Sequence, residues 1–132
     1  MSNYSTLDAY ALTGVSQKQI EYWIKNGWID ASVKKSTGTG SRRIWSDLDL
    51  LALKVLASLS EDRHAAKIVP AVWEAIHLYP DADFLLVGNA MAMPVTAEHV
   101  PMMLSGHPSA TVMSVVCVGA YRSALFPEDV PA

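Results

Sequence analysis

Apolar side chains in the first sixty residues recur at helical spacing in separate short stretches, divided by turn-forming residues. Residues 6–12 put Leu7, Tyr10 and Ala11 on one face of a short helix. Thr13-Gly14-Val15 reads as a tight turn, in which Gly14 is free to take the positive φ that such turns often need. Ser16-Gln17-Lys18-Gln19 has the form of a capping box, with Ser at the N-cap and Gln three residues on. The helix it opens turns Ile20, Trp23 and Ile24 inward, and Gly27 after Asn26 is a natural stop. Its outward side shows Gln17, Lys18, Glu21, Tyr22 and Lys25.

Trp28-Ile29 then returns to the core, and the pattern changes period. Val33-Lys34-Lys35 and Arg42-Arg43-Ile44-Trp45 are two β-compatible arms around Ser36-Thr37-Gly38-Thr39-Gly40-Ser41, a hairpin with basic arms and a flexible tip. Ser46 caps a third helix running to about Leu59, with a broad apolar surface from Leu48, Leu51, Leu53, Val55, Leu56 and Leu59. After a break at Ser60-Glu61-Asp62, Ile68, Val69, Val72, Trp73 and Ile76 mark a fourth helix, with Pro70 either kinking it or sitting in its first turn. Beyond Pro80-Asp81 the apolar run Phe84-Leu85-Leu86-Val87-Gly88 predicts a buried strand, with 92–95 available to pair with it. Residues 96–104 suggest a short helix disturbed by Pro101, the Val-rich 111–119 a second firm strand, and the tail from Ala120 a helical start and a loose end.

At 132 residues the chain makes one compact domain or two very small ones. Apolar residues make up 51% and charged residues 17%, which excludes a disordered tail or a polycationic coat. The formal charge is −3, but it is unevenly spread: residues 1–50 hold six bases against five acids, and residues 51–132 four bases against eight acids. Four of the six early bases fall between Lys34 and Arg43, so a local cationic field exists within an acidic protein. A patch of that size neutralises few phosphates, which argues against sequence-blind coating of nucleic acid. No apolar run reaches the roughly 18 residues that span a bilayer, and 1–8 does not read as a secretory leader, so the expectation is a cytoplasmic protein without membrane contact.

Helix, turn, helix and basic hairpin in that order resemble the winged DNA-binding domain of the MerR family. The resemblance rests on Thr13-Gly14-Val15-Ser16, Ile20-Glu21-Tyr22-Trp23, Asn26-Gly27-Trp28-Ile29, and Arg42-Arg43-Ile44-Trp45-Ser46 before a Leu-rich helix, and it covers residues 4–59. It implies that the second helix enters the major groove while a wing arginine and a helix tyrosine grip the phosphates. The residue chemistry agrees independently. Ser16, Gln17, Lys18, Tyr22 and Lys25 present groups suited to base edges and backbone, Arg42 and Arg43 suit two-pronged phosphate contacts, and Lys34 and Lys35 add point charges. The pattern departs from the family at Glu21, where many members have Arg; this carboxylate accepts from a cytosine amino group, pairs with Lys25, or faces away.

The fold expected is α+β: a MerR-like winged helix-turn-helix at residues 1–60, then a small apolar helix-plus-strands domain at 61–132. The second part lacks the sustained heptads of a dimerising coiled coil. With one cysteine and with His64, His77, His99 and His107 scattered, no metal or cofactor is expected, and Cys117 between two valines reads as a small buried hydrophobe. Met91, Met93, Met102, Met103 and Met113 suit either core filling or an adaptable interface, and Trp45 and Trp73 suit packing. Asp81 and Asp83 are not a placed acid–base pair and no phosphate loop or nucleophile triad appears, so no enzyme is expected. The function expected is a sequence-specific double-stranded DNA-binding regulator of bacterial or phage origin, a repressor, dimeric through residues 61–132. The alternatives are an excisionase-like or terminase-small-subunit-like factor that docks a phage or host protein, and a protein-interaction module or small-ligand sensor with no DNA role.

Overall fold

A computed structural model describes residues 3–34, 42–59, 67–88, 91–99 and 114–127. Among these, the elements are α1 (Thr6–Thr13), α2 (Gln17–Lys25), α3 (Asp47–Ser58), α4 (Ile68–Leu78), β1 (Phe84–Val87), β2 (Ala92–Val95), β3 (Ser114–Cys117) and α5 (Val118–Leu125). The architecture is α+β. Lys35, the hairpin tip at 36–41, the break at 60–62, Met102, Met103, Met113, His64, His107 and the far end of the tail lie outside the described residues.

Local chemistry sets where the first three helices begin. Ser5 opens α1 with a capping box, its Oγ accepting from Asp8 N at 3.2 Å while the Asp8 carboxylate accepts from Ser5 N. Gly14 closes α1 at φ +82°, and its N–H reaches Tyr10 O. Two residues on, the Ser16 hydroxyl accepts from Gln19 N at 3.1 Å and α2 starts in a new direction. Gly27, at φ +75°, turns the chain out of α2. Ser46 opens α3 through a capping box with Asp49.

The third helix is the centre of the molecule. Leu50, Leu51, Ala52, Leu53, Val55 and Leu56 are all buried, so it is covered on more than one side. α1, α4 and α5 pack against it. One continuous apolar cluster takes in Ala9 of α1, Ile20 and Trp23 of α2, Trp45, the α3 leucines, Val69, Val72 and Ile76 of α4, and Leu85, Val87 and Val116 of the sheet. Trp45 is fully buried and meets Trp73 edge-on, with ring centroids 6.3 Å apart. Pro70 sits in the first turn of α4, where its missing N–H costs no helical hydrogen bond.

The sheet is antiparallel in the order β2-β1-β3, with Phe84 opposite Val95 and Cys117, and Leu86 opposite Met93 and Val115. Partners in register share a face, and successive residues alternate. Leu85, Val87, Ala92 and Val116 therefore turn towards the helices, while Phe84, Leu86, Met93, Val95, Val115 and Cys117 share the outer face. Arg122 of α5 ties down the approach to β1, donating to Pro80 O at 2.7 Å and Ala82 O at 2.9 Å beside Asp83.

The structure departs from expectation in the C-terminal part. Cys117 is exposed, not buried: Val116 takes the inward position of β3, and strand alternation turns its two neighbours out. Val118 and Gly119, expected in the strand, begin α5. Within 96–104, the described residues 96–99 form a turn in which His99 N donates to Thr96 O. The pairing of 92–95 with the 84–87 strand is as expected.

Candidate nucleic-acid interface

The outward side of α2 is fully polar. Ser16, Gln17, Lys18, Glu21, Tyr22 and Lys25 are all exposed, while Ile20 and Trp23 are buried on the opposite side. The Ser16 hydroxyl is already committed to the cap, which makes it a support for the helix start. Gln17 Nε2 donates to Glu21 Oε1 at 3.0 Å, so the partner of Glu21 lies one turn back and is not Lys25. Tyr22 is 56% exposed, and its ring stands edge-on to Trp28 with centroids 5.6 Å apart. That contact braces an aromatic side chain that is still more than half exposed.

The two hairpin arms meet where the sequence pattern places them. Lys34 and Ile44 exchange both backbone hydrogen bonds, at 3.1 Å and 2.9 Å, as an antiparallel bridge. Trp45 pairs in the same way with Tyr4, which fastens the outgoing arm to the start of the chain. Lys34 and Arg42 are exposed. Arg43 is half-buried, and its Nε donates to Asp30 Oδ1 at 2.8 Å. Asp30 lies in the connection just beyond α2, so this ion pair holds the basic arm to the exit of the outward-facing helix. A guanidinium has five N–H donors, and those not used on Asp30 remain for a second acceptor.

Tyr10 of α1 reports how near the two elements lie. Its phenol is pushed up by burial first and then by Glu21, and is drawn down by Arg43. One α1 side chain thus feels a charge from α2 and a charge from the hairpin arm.

Beneath the hairpin is a polar knot that the sequence reading missed. Asp49 is fully buried, and its Oδ2 accepts from Ser32 N and Ser32 Oγ, both at 2.8 Å, and from Ser46 N at 2.9 Å. Ser32 precedes the first arm and Ser46 follows the second, so one carboxylate holds both feet of the hairpin. Its Oδ1 meets His77 Nε2 of α4 at 2.6 Å, and His77 Nδ1 lies 2.7 Å from Trp73 O. Both ring nitrogens face acceptors, which is the arrangement of a doubly protonated imidazolium. Burial works against both charges, but the bonds outweigh it: Asp49 is held below its ordinary value by His77, Ser32 and Ser46, and His77 above its own by Asp49 and Trp73 O. The Ser-x-x-Asp signal of a capping box was visible in the sequence; its partner 28 residues away was not.

The chain is 30% identical over 56 residues to an uncharacterized HTH-type transcriptional regulator of Mycobacterium bovis. Uncharacterized HTH-type transcriptional regulators of two Mycobacterium tuberculosis strains match to the same extent. This chain is similar to helix-turn-helix regulators. The matched stretch is 42% of this chain and 25% of each relative, so the chain spans about a quarter of the length of the curated relatives it matches. No protein-family model matches it. Of the residues expected at the interface, Gln17, Lys18, Tyr22 and Lys25 share one exposed helix side, and Lys34, Arg42 and Arg43 sit on the paired arms. Asp30 and Asp49 are the additions the tertiary structure makes. Among the described residues no group of three or more His, Cys, Asp or Glu is placed to hold a metal, and no helix is long and apolar enough to cross a membrane.

Proposed function

We propose that this protein is a sequence-specific, double-stranded DNA-binding transcription regulator, with a MerR-like winged helix-turn-helix at residues 1–60. In this reading α2 enters the major groove and the hairpin arms run along the flanking phosphates. The observation that carries it is the Asp30–Arg43 ion pair, which brings a basic arm against the exit of a capped helix whose outer side is Gln17, Lys18, Tyr22 and Lys25. Gln17 reads base edges, Tyr22 and Arg42 contact phosphate, and Lys18, Lys25, Lys34 and Lys35 supply charge. The names of the mycobacterial relatives support the same class of function.

A single unit of this size covers little duplex, so useful specificity calls for two copies on paired half-sites. The exposed part of the outer sheet face, Val115 with the partly exposed Phe84, Met93 and Val95 around the buried Leu86, is the surface we assign to that pairing. A dimer seated on an operator excludes other proteins from it, and repression is the regulatory outcome proposed for a bacterial or phage chain of this kind. The test is genome-wide mapping of bound DNA, followed by fluorescence anisotropy on the enriched duplex across a salt series. A defined site is expected, with log affinity falling by about 0.9 per phosphate contact against log salt. Binding that shows no enriched site at moderate salt overturns the reading.

A further inference from the structure

Glu21 is out of place on a surface meant for a polyanion, and its geometry shows how it is used. It lies one turn from Gln17 on the exposed side of α2, and Gln17 Nε2 donates to its Oε1 at 3.0 Å. Residues four apart leave a helix on one face, one above the other. An ionised carboxylate only accepts, so the nitrogen end of the Gln17 amide must be the end turned to Glu21. The amide keeps its second N–H and its carbonyl oxygen, the donor–acceptor pair that matches adenine N7 and N6 in the major groove. Glu21 keeps unused lone pairs, which fit an amino donor, and of the two on the major-groove edge cytosine N4 is favoured over adenine N6 because adenine sets its N7 acceptor beside that group. Guanine offers N7 and O6 and thymine offers O4 at that edge, all acceptors, which a carboxylate repels. Lys18 and Lys25 lie on the same exposed side, offsetting the cost of the carboxylate near phosphates. Because Gln17 and Glu21 already hold each other, less side-chain freedom is lost on binding.

We infer that Gln17 and Glu21 act as one base-reading pair, selecting duplexes with adenine and cytosine beneath the first turns of α2 and rejecting guanine opposite Glu21. This rests on the DNA-binding function proposed above and adds the base classes recognised. Glu21 serves specificity at the expense of general affinity, the repulsive element that a selective interface needs.

The experiment selects bound sequences from a randomised duplex pool with the full chain. Anisotropy at fixed salt then compares wild type, Glu21→Ala, Glu21→Gln and Gln17→Ala on the selected site, its single-base variants and a scrambled duplex. Wild type is expected to prefer cytosine to guanine at one position by about tenfold or more. Glu21→Ala should lose that preference while its affinity for the scrambled duplex rises a few-fold, roughly as expected for removing one repulsive charge. Gln17→Ala should relax an adenine position and also weaken the cytosine preference, because Glu21 loses the side chain that holds it. Opposite movements of specific and general binding cannot come from a damaged fold. Equal weakening on every duplex by Glu21→Ala, or a selected site indifferent to cytosine, overturns the inference and leaves DNA binding standing. Failure of wild type to bind any duplex overturns both.

Discussion

The outer side of α2 is open to solvent and the outer face of the sheet only in part, with Leu86 buried and Val115 and Cys117 exposed, and the two are built from opposite chemistry. The helix side is Gln17, Lys18, Glu21, Tyr22 and Lys25, each able to donate, accept or carry charge. The sheet face is Phe84, Leu86, Met93, Val95, Val115 and Cys117, with no charged side chain among them. Directional polar groups discriminate among ligands by the pairing they demand, whereas apolar surface is non-directional and contributes in proportion to the area removed from water. A surface of the first kind suits reading a sequence; one of the second kind suits holding two copies together. The difference extends to what lies beneath. Under the hairpin sits a buried charged knot, Asp49 with His77, and under the sheet sits aliphatic packing from Leu85, Val87 and Val116.

The largest effect is expected where the polar region is anchored. Asp49→Ala removes the acceptor for Ser32 N, Ser46 N and His77 at once, and leaves His77 half-buried without its anion. A loss of about 3–5 kcal/mol in urea unfolding is expected, with DNA binding failing before the fold does. Near-wild-type stability would mean that the knot is not what holds the hairpin.

Val115→Glu tests the other side of the comparison. Val115 is 39% exposed, so a charge there costs the monomer little, but it should reduce a sedimenting dimer to monomer at micromolar concentration. A wild-type chain that is already monomeric would remove the role given to the sheet face.

On the helix and hairpin side, Arg42→Ala is expected to weaken binding to all duplexes by about tenfold and to flatten the salt dependence by about one phosphate. Arg42 is a cleaner probe than Arg43, since truncating Arg43 also frees Asp30. Gln17→Ala should instead act at particular base positions. If the two variants behaved alike, the division between backbone and base contacts would be wrong.

The smallest effect is a pH dependence confined to the anchored region. His77 is held above its ordinary value of 6.5, so its contribution to stability is complete below that pH and is lost as pH rises through the raised value. Asp49 is held below its ordinary 3.8, so its contribution persists above that pH and is lost only as pH falls through the lowered value. Stability should therefore decline on the alkaline side of 6.5, and His77→Gln should abolish that slope. A slope that survives the substitution would place the titrating group elsewhere.

Much of this was legible from local pattern. The caps at Ser16 and Ser46, the positive-φ glycine after α1 and the stop at Gly27 are short-range devices, and their signals lie within a few residues of the bonds they make. Apolar spacing marked Ile20, Trp23 and the α3 leucines as core for the same reason. Cys117 was misread because a Val-rich run shows that a strand exists without showing its phase, and a one-residue shift exchanges the inner and outer faces.

The sequence by itself determined the helix-turn-helix, the basic arms beside it and the side of α2 that faces outward, because capping, turn chemistry and periodicity act over a few residues. Tertiary structure alone decided which charges meet. Asp30 takes Arg43, and Asp49 takes His77 from 28 residues away. A charged side chain pairs with whatever the packed core brings within about 3 Å, and that choice exists only once α1, α3 and α4 have closed around their shared leucines and tryptophans.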